Sequence, residues 1–145
     1  MEGGDKQRCN QKYVPANMYS QSDRSGRVLL LEIDDSNRVL FADYLEHCGY
    51  SVFPLDNEQA LFERLDAFEP DVLILNLKMP IIDGFTLIEQ LRKHPRWRRL
   101  AILVVSGYTL ISDRRKAYML GANAYLTKPV IPNDLSETVA QLMLQ

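Results

Sequence analysis

The chain has 145 residues, 46% of them apolar and 25% charged, with 17 Lys and Arg against 19 Asp and Glu for a net charge of −2. That is enough for one domain with a real core and too little for two, and an acidic balance gives no field to attract a nucleic-acid backbone. No apolar run approaches a membrane span or a secretory leader, so a cytoplasmic protein without membrane or nucleic-acid contact is expected. Cys9 and Cys48 fit no metal spacing and make a poor disulfide framework.

Residues 1–26 lack periodicity and read as a flexible arm. The sequence leaves open whether it is leader sequence or an arm whose Tyr13-Val14 and Met18-Tyr19 pairs dock on the domain or on a partner. A folded domain is expected over 27–145. Val28-Leu29-Leu30-Leu31 is a continuous apolar run ending in acids, the mark of a buried parallel strand. Leu40, Phe41, Tyr44, Leu45 and Cys48 follow at helical spacing, and Gly49 stands where a helix stop belongs. Residues 51–55 form a weaker strand whose Pro54 suits a sheet edge. Leu61, Leu65 and Phe68 line a helix ending before Pro70, and residues 72–75 make a third strand.

A third helix is predicted over 84–94, a fourth strand over 101–105, a fourth helix from Ser112 to Gly121 and a fifth strand over 124–127. The last helix is expected to open at Asn133-Asp134, with Glu137 in capping-box spacing and Leu135, Val139, Leu142 and Met143 buried. Five strand–helix units without repeats predict an α/β fold, a doubly wound five-stranded parallel sheet with helices on both faces. Ligand sites in such sheets lie beyond the carboxyl ends of the strands. Those ends here are Glu32-Ile33, Asn76, Ser106 and Lys128.

These residues carry a resemblance. The stretch from Asp71 to Gly84, reading DVLILNLKMPIIDG, is similar to the third strand and following loop of response-regulator receiver domains. Ser106-Gly107 after the fourth strand, Tyr125 in the fifth and Lys128-Pro129 at its end agree in type and spacing, and the resemblance covers 27–145. It implies the flavodoxin-like strand order 2-1-3-4-5. It also implies an aspartate at the end of the third strand that becomes an acyl phosphate. Mg²⁺ would be held by that aspartate, by a carboxylate of an acidic pair after the first strand and by a loop carbonyl. Lys128 and Ser106 match the lysine and hydroxyl that take phosphoryl oxygens, and Tyr125 matches the switch aromatic coupled to them. A cis Lys128-Pro129 bond is implied as well.

The departures from that pattern are informative. The acceptor position holds Asn76, whose amide is a poor nucleophile. The acidic pair allows two registers. Equating it with Asp34-Asp35 requires two residues deleted before the first helix and puts Glu32 inside a strand. The gapless register keeps Arg38 and Gly49 at family spacing, matches Glu32 to the first acid, and leaves Ile33 in place of the usual metal ligand. The gapless register is favoured. Glu32 and Lys128 then cancel, so no metal is expected; in the other register Asp34 and Asp35 against Lys128 still leave a weakened site. Lys78 sits in the metal-ligating loop and is read as solvated, or as a further positive charge.

The resemblance also assigns an output face to the fourth helix, fifth strand and fifth helix. Arg114, Arg115, Tyr118 and Met119 fall on that fourth helix, as a charged solvated face or as a contact for a partner or a second copy. Arg96, Trp97, Arg98 and Arg99 read as a solvated turn, and His47 and His94 carry no site. A cofactor-binding flavodoxin-like protein is disfavoured because no Gly-rich loop follows the first strand. The expectation is a stand-alone atypical receiver and not an enzyme, without cofactor. It would signal through proteins such as a histidine kinase or a downstream effector, and no output domain is expected after the fifth helix. The alternative is a conventional phosphoaccepting, Mg²⁺-using regulator with Asp changed to Asn at position 76.

Overall fold

The computed structural model describes residues 26–144, so the expected arm lies, apart from Gly26, outside the described residues. In β1 (Arg27–Leu31) alternate side chains enter different cores, Leu29 and Leu31 on one face, Val28 and Leu30 on the other. A strand covered on both faces needs apolar residues at every position, which explains the unbroken run. The same division holds in β3 (Val72–Leu75) and β4 (Ala101–Ser106). With β2 (Ser51–Leu55) and β5 (Ala124–Thr127) they form one parallel sheet in the order β2-β1-β3-β4-β5. Pro54 lies on the β2 edge, opposite Leu30, where its missing N–H costs no ladder bond.

Five helices cover the two faces. α1 (Asp35–His47) and α5 (Pro132–Met143) bury Phe41, Ala42, Leu45, Leu135, Val139 and Leu142 against one face. α2 (Leu61–Phe68), α3 (Gly84–Lys93) and α4 (Ile111–Leu120) bury Leu61, Leu65, Leu87, Ile88, Leu91 and Ala117 against the other. Gly121 ends α4 at φ 122°, and a Cβ there would lie 2.7 Å from Arg92 Cγ. Arg92 staples this corner. Its guanidinium donates to the carbonyls of Gly121, Arg98 and Leu100 and to Asn123 Oδ1, tying α3 to the turn before β5.

Several expectations need correction. α5 starts at Pro132 with Ile131 as its cap and no side-chain cap bond, so Asn133-Asp134 with Glu137 is not a capping box. Proline at the first helical position sets the start instead, because it lacks the N–H that would go unsatisfied there. Leu40 is 56% exposed beside Val39, off the buried stripe of α1, and Met143 is only partly buried. Trp97 is buried rather than part of a solvated turn. Its Nε1 donates to Asp66 Oδ1 at 2.9 Å, and Arg96 lies over the ring. Cys48 is disulfide-bonded, contrary to the expectation for the two cysteines, and Cys9 lies outside the described residues. Among the described residues no helix is long and apolar enough to cross a membrane.

Candidate functional site

Strand order reverses between β1 and β3, which opens a crevice beyond their carboxyl ends. Register determines what enters it. Leu31 pairs with Leu75, so Glu32 and Asn76 are the first residues past the ladder and stand side by side. Ser106 pairs with Thr127, so Lys128 is the next residue out, and its N–H donates to Ser106 O at 2.8 Å. The Lys128-Pro129 bond is cis.

Glu32 is 2% exposed and its carboxylate is fully engaged. Oε1 meets Lys128 Nζ at 2.8 Å, while Oε2 accepts from the Asp34 N–H at 3.0 Å and from Asn76 Nδ2 at 3.4 Å. A buried acid survives as an ion only when paired in this way. The Asn76 amide thus donates on one side and accepts from the Lys78 N–H on the other. The pocket brings Glu32, Asn76 and Lys128 together as one bonded set, with Ser106 fully buried at its edge.

The remaining acids stand elsewhere. Asp34 is exposed and caps α1, accepting from the Asn37 N–H. Asp35 is exposed and pairs with Arg38, whose guanidinium also donates to the Glu32 and Ile33 carbonyls. Ile33 packs against the α2–α3 core, and Lys78 is exposed. Of the carboxylates near the pocket, Glu32 is paired with Lys128, Asp34 caps α1 and Asp35 pairs with Arg38.

Ser106 leads to the output side of the sheet. Its Oγ accepts from the Tyr108 N–H, and the Tyr125 hydroxyl donates to Tyr108 O at 2.9 Å. Burial pushes the Tyr125 phenol above its ordinary pKa and Asp113 adds to that, against a Ser106 hydrogen bond and the Arg114 charge. Arg114 lies 5.1 Å from the centre of the Tyr125 ring, and a cleft of about 200 Å³ opens between them and residues 108–111. On the rest of α4, Arg115 is exposed, Tyr118 is 44% exposed and Met119 86%. Leu110, Ile111 and Ile131 add further exposed apolar surface.

Two residues near the pocket carry more than the sequence showed, one not singled out and one read only as the end of a motif. Glu58, in the 3₁₀ turn Glu58–Ala60, is buried, and its Oε2 accepts from the N–H groups of Ile81 and Ile82 at 2.8 and 2.9 Å. It anchors the loop between β3 and α3. A carboxylate whose partners are backbone amides leaves no pairing signature in a sequence. Gly84 is the second. A Cβ there would lie 2.5 Å from Asn76 O, so only glycine lets α3 start against the pocket backbone.

A five-stranded parallel sheet in this order, with a polar pocket at its carboxyl ends, is the architecture of the flavodoxin-like receivers. Residues 28–140 match the response regulator receiver domain, and the chain belongs to that family. It is 31% identical to protein RcaC of Microchaete diplosiphon over 123 residues, 85% of this chain and 19% of that protein. A 14.6 kDa protein of Leptolyngbya boryana is 33% identical over 117 residues, 81% of this chain and 89% of that one. The chain spans 57% of a probable transcriptional regulator, ycf29, of Porphyra purpurea, and so less than two thirds of either this relative or RcaC. A Chloroflexus aurantiacus protein described as a response regulator superposes with a TM-score of 0.80 at 29% identity, covering 84% of this chain and all of its own. Receiver domains are in general signalling modules that interact with histidine kinases and effectors.

Proposed function

We propose that this chain is an atypical receiver that signals by binding other proteins, independently of aspartyl phosphorylation and without Mg²⁺. The observation that carries the reading is the closed ion pair between Glu32 and Lys128 beside a neutral Asn76. The resemblance implies an ordinary pocket of three carboxylates and one lysine, an excess of negative charge that a divalent metal balances. Here the lysine is paired with Glu32, and the amide at position 76 is a poor nucleophile toward phosphorus. Contact with a partner, or with a second copy, falls on α4, β5 and α5, where Arg114 lines the Tyr125 cleft and Arg115, Tyr118 and Met119 lie further along α4. The Leptolyngbya boryana relative, of nearly the same length as the matched region, supports a role as a separate module.

The test is a time course with acetyl phosphate and Mg²⁺ on the wild type, on Asn76→Asp, on Ile33→Asp and on the double variant. No mass gain is expected for the wild type. Asn76→Asp alone stays nearly inert, because position 33 still lacks an anionic metal ligand, a loss on the order of a hundredfold in rate. The double variant recovers measurable phosphorylation. A fully active Asn76→Asp single variant would sink the proposal and leave an ordinary regulator with one changed residue.

A further inference from the structure

Two helices on opposite faces of the sheet carry exposed patches of similar build and opposite charge. On α1 the outer side shows Val39 and Leu40, both more than half exposed, followed by exposed Asp43 and Glu46. Positions three and four apart are neighbours on a helix, so these four side chains form one patch. Arg38 does not neutralise it, because its guanidinium is engaged with the Glu32 and Ile33 carbonyls and with Asp35. On α4, exposed Ile111, Tyr118 and Met119 stand three and four positions from exposed Arg115, with Arg114 beside them. Asp43, Glu46 and Arg115 enter no ion pair among the described residues. Over its length α1 holds three acids against one arginine, a net −2, and α4 holds three cations against one acid, a net +2.

We propose that α4 of one chain docks on α1 of a second copy, so that chains associate head to tail. The proposal rests on the reading of α4 as a contact surface and names its occupant. Along α1 the apolar pair and the acids are centred about 7.5 Å apart, and along α4 the Tyr118-Met119 pair and the two arginines about 6 Å apart. Laid antiparallel, the apolar ends meet and the arginines meet acids. The apolar side chains supply the area taken from water, and the charges set partner and register. Pairing α4 with α4 would set Arg115 against Arg115, and pairing α1 with α1 would set acid against acid, so like patches repel. Because the two patches lie on opposite faces of the sheet, filling one leaves the other open. The contact is therefore heterologous and does not close at two chains. A single helix face on each side makes it a small interface, formed and lost with concentration.

The test is sedimentation velocity on the full-length protein at rising concentration, up to about 1 mM, the weak end of specific association. The wild type is expected to pass beyond the dimer. Leu40→Asp and Met119→Asp each break one patch and should weaken self-association at least about tenfold, with far-ultraviolet circular dichroism unchanged. Mixed, the two variants hold one intact α4 patch and one intact α1 patch between them, and should form a one-to-one pair and nothing larger. Arg115→Glu should weaken association too, and adding Asp43→Lys in the same chain should restore it. A wild type that stays monomeric overturns the proposal and leaves the α4 surface to a different protein. So does a wild type that stops at the dimer, self-association that survives Leu40→Asp, or a mixture of the two variants that stays monomeric. None of these outcomes bears on the acetyl phosphate time course, so the reading of the pocket stands or falls separately.

Discussion

Glu58 has the most to lose from protonation. Burial alone would raise its pKa, but the N–H groups of Ile82, of Glu58 itself and of Ile81 together outweigh it and hold the carboxyl below its ordinary range. A carboxyl depressed in the folded state contributes stability that is present above its unfolded pKa, about 4.3, and is lost as the pH falls through the lower folded value. Glu58→Gln should therefore cost about 1.5–3 kcal/mol at neutral pH and flatten the stability profile below about pH 4.3. Urea unfolding of both proteins between pH 3 and pH 7, roughly the range where the carboxyl titrates, measures this. A variant curve parallel to the wild type would show that the loop does not depend on the carboxylate. Glu32 is built differently, because Lys128 answers its charge beside one main-chain N–H and the Asn76 amide, and sequence spacing could point to it through its place at the end of β1, a signal Glu58 lacks.

At the level of elements, the corner where α3 meets the end of α4 rests on one side chain. Arg92 satisfies three backbone carbonyls and Asn123 Oδ1 at once, and Gly121 leaves no room for a Cβ beside it. Arg92→Ala should cost on the order of 2–3 kcal/mol by stranding those acceptors. Gly121→Ala should cost at least about 1 kcal/mol from its positive φ and the clash with the Arg92 stem. Thermal unfolding reads both, and a melting temperature unchanged by Arg92→Ala would refute the staple. The strands of this fold were legible because each is a short apolar run bounded by polar or turn residues, as in 72–75 and 101–106. Helix starts were less so. At α5 the proline overrode an apparent capping box, and at α1 Leu40 shared the helical spacing of its buried neighbours yet faces water. Trp97 looked solvated among arginines because its partner, Asp66, is distant in sequence. Strand ends pointed to Glu32, Asn76, Ser106 and Lys128, which stand together in the structure, whereas the side chains of Ile33, Asp34, Asp35 and Lys78, also expected there, pack elsewhere, cap and pair at α1, or are exposed. What could not be read was the bonding inside the pocket, above all that Glu32 would take both Lys128 and the Asn76 amide.

Across the whole molecule the sheet divides the interior in two. Side chains of β1, β3 and β4 alternate between a core under α2, α3 and α4 and another under α1 and α5. The sheet backbone between them acts as a partition rather than a bridge, so damage on one side has few shared contacts through which to reach the other. Ile88 and Leu135 are both fully buried, one in each compartment. Ile88→Val should cost about 0.5–1.5 kcal/mol and Leu135→Ala about 2–5 kcal/mol, and the double variant should lose their sum to within about 0.5 kcal/mol. Chemical denaturation of the four proteins closes that cycle, and a coupling well above this margin would mean the compartments communicate. Independent compartments give the domain two separate tolerances for sequence drift. The packing under α1 and α5 can change without retuning the packing behind the Tyr125 cleft, so the α4 side of the proposed contact surface can stay constant while its α5 side is rebuilt.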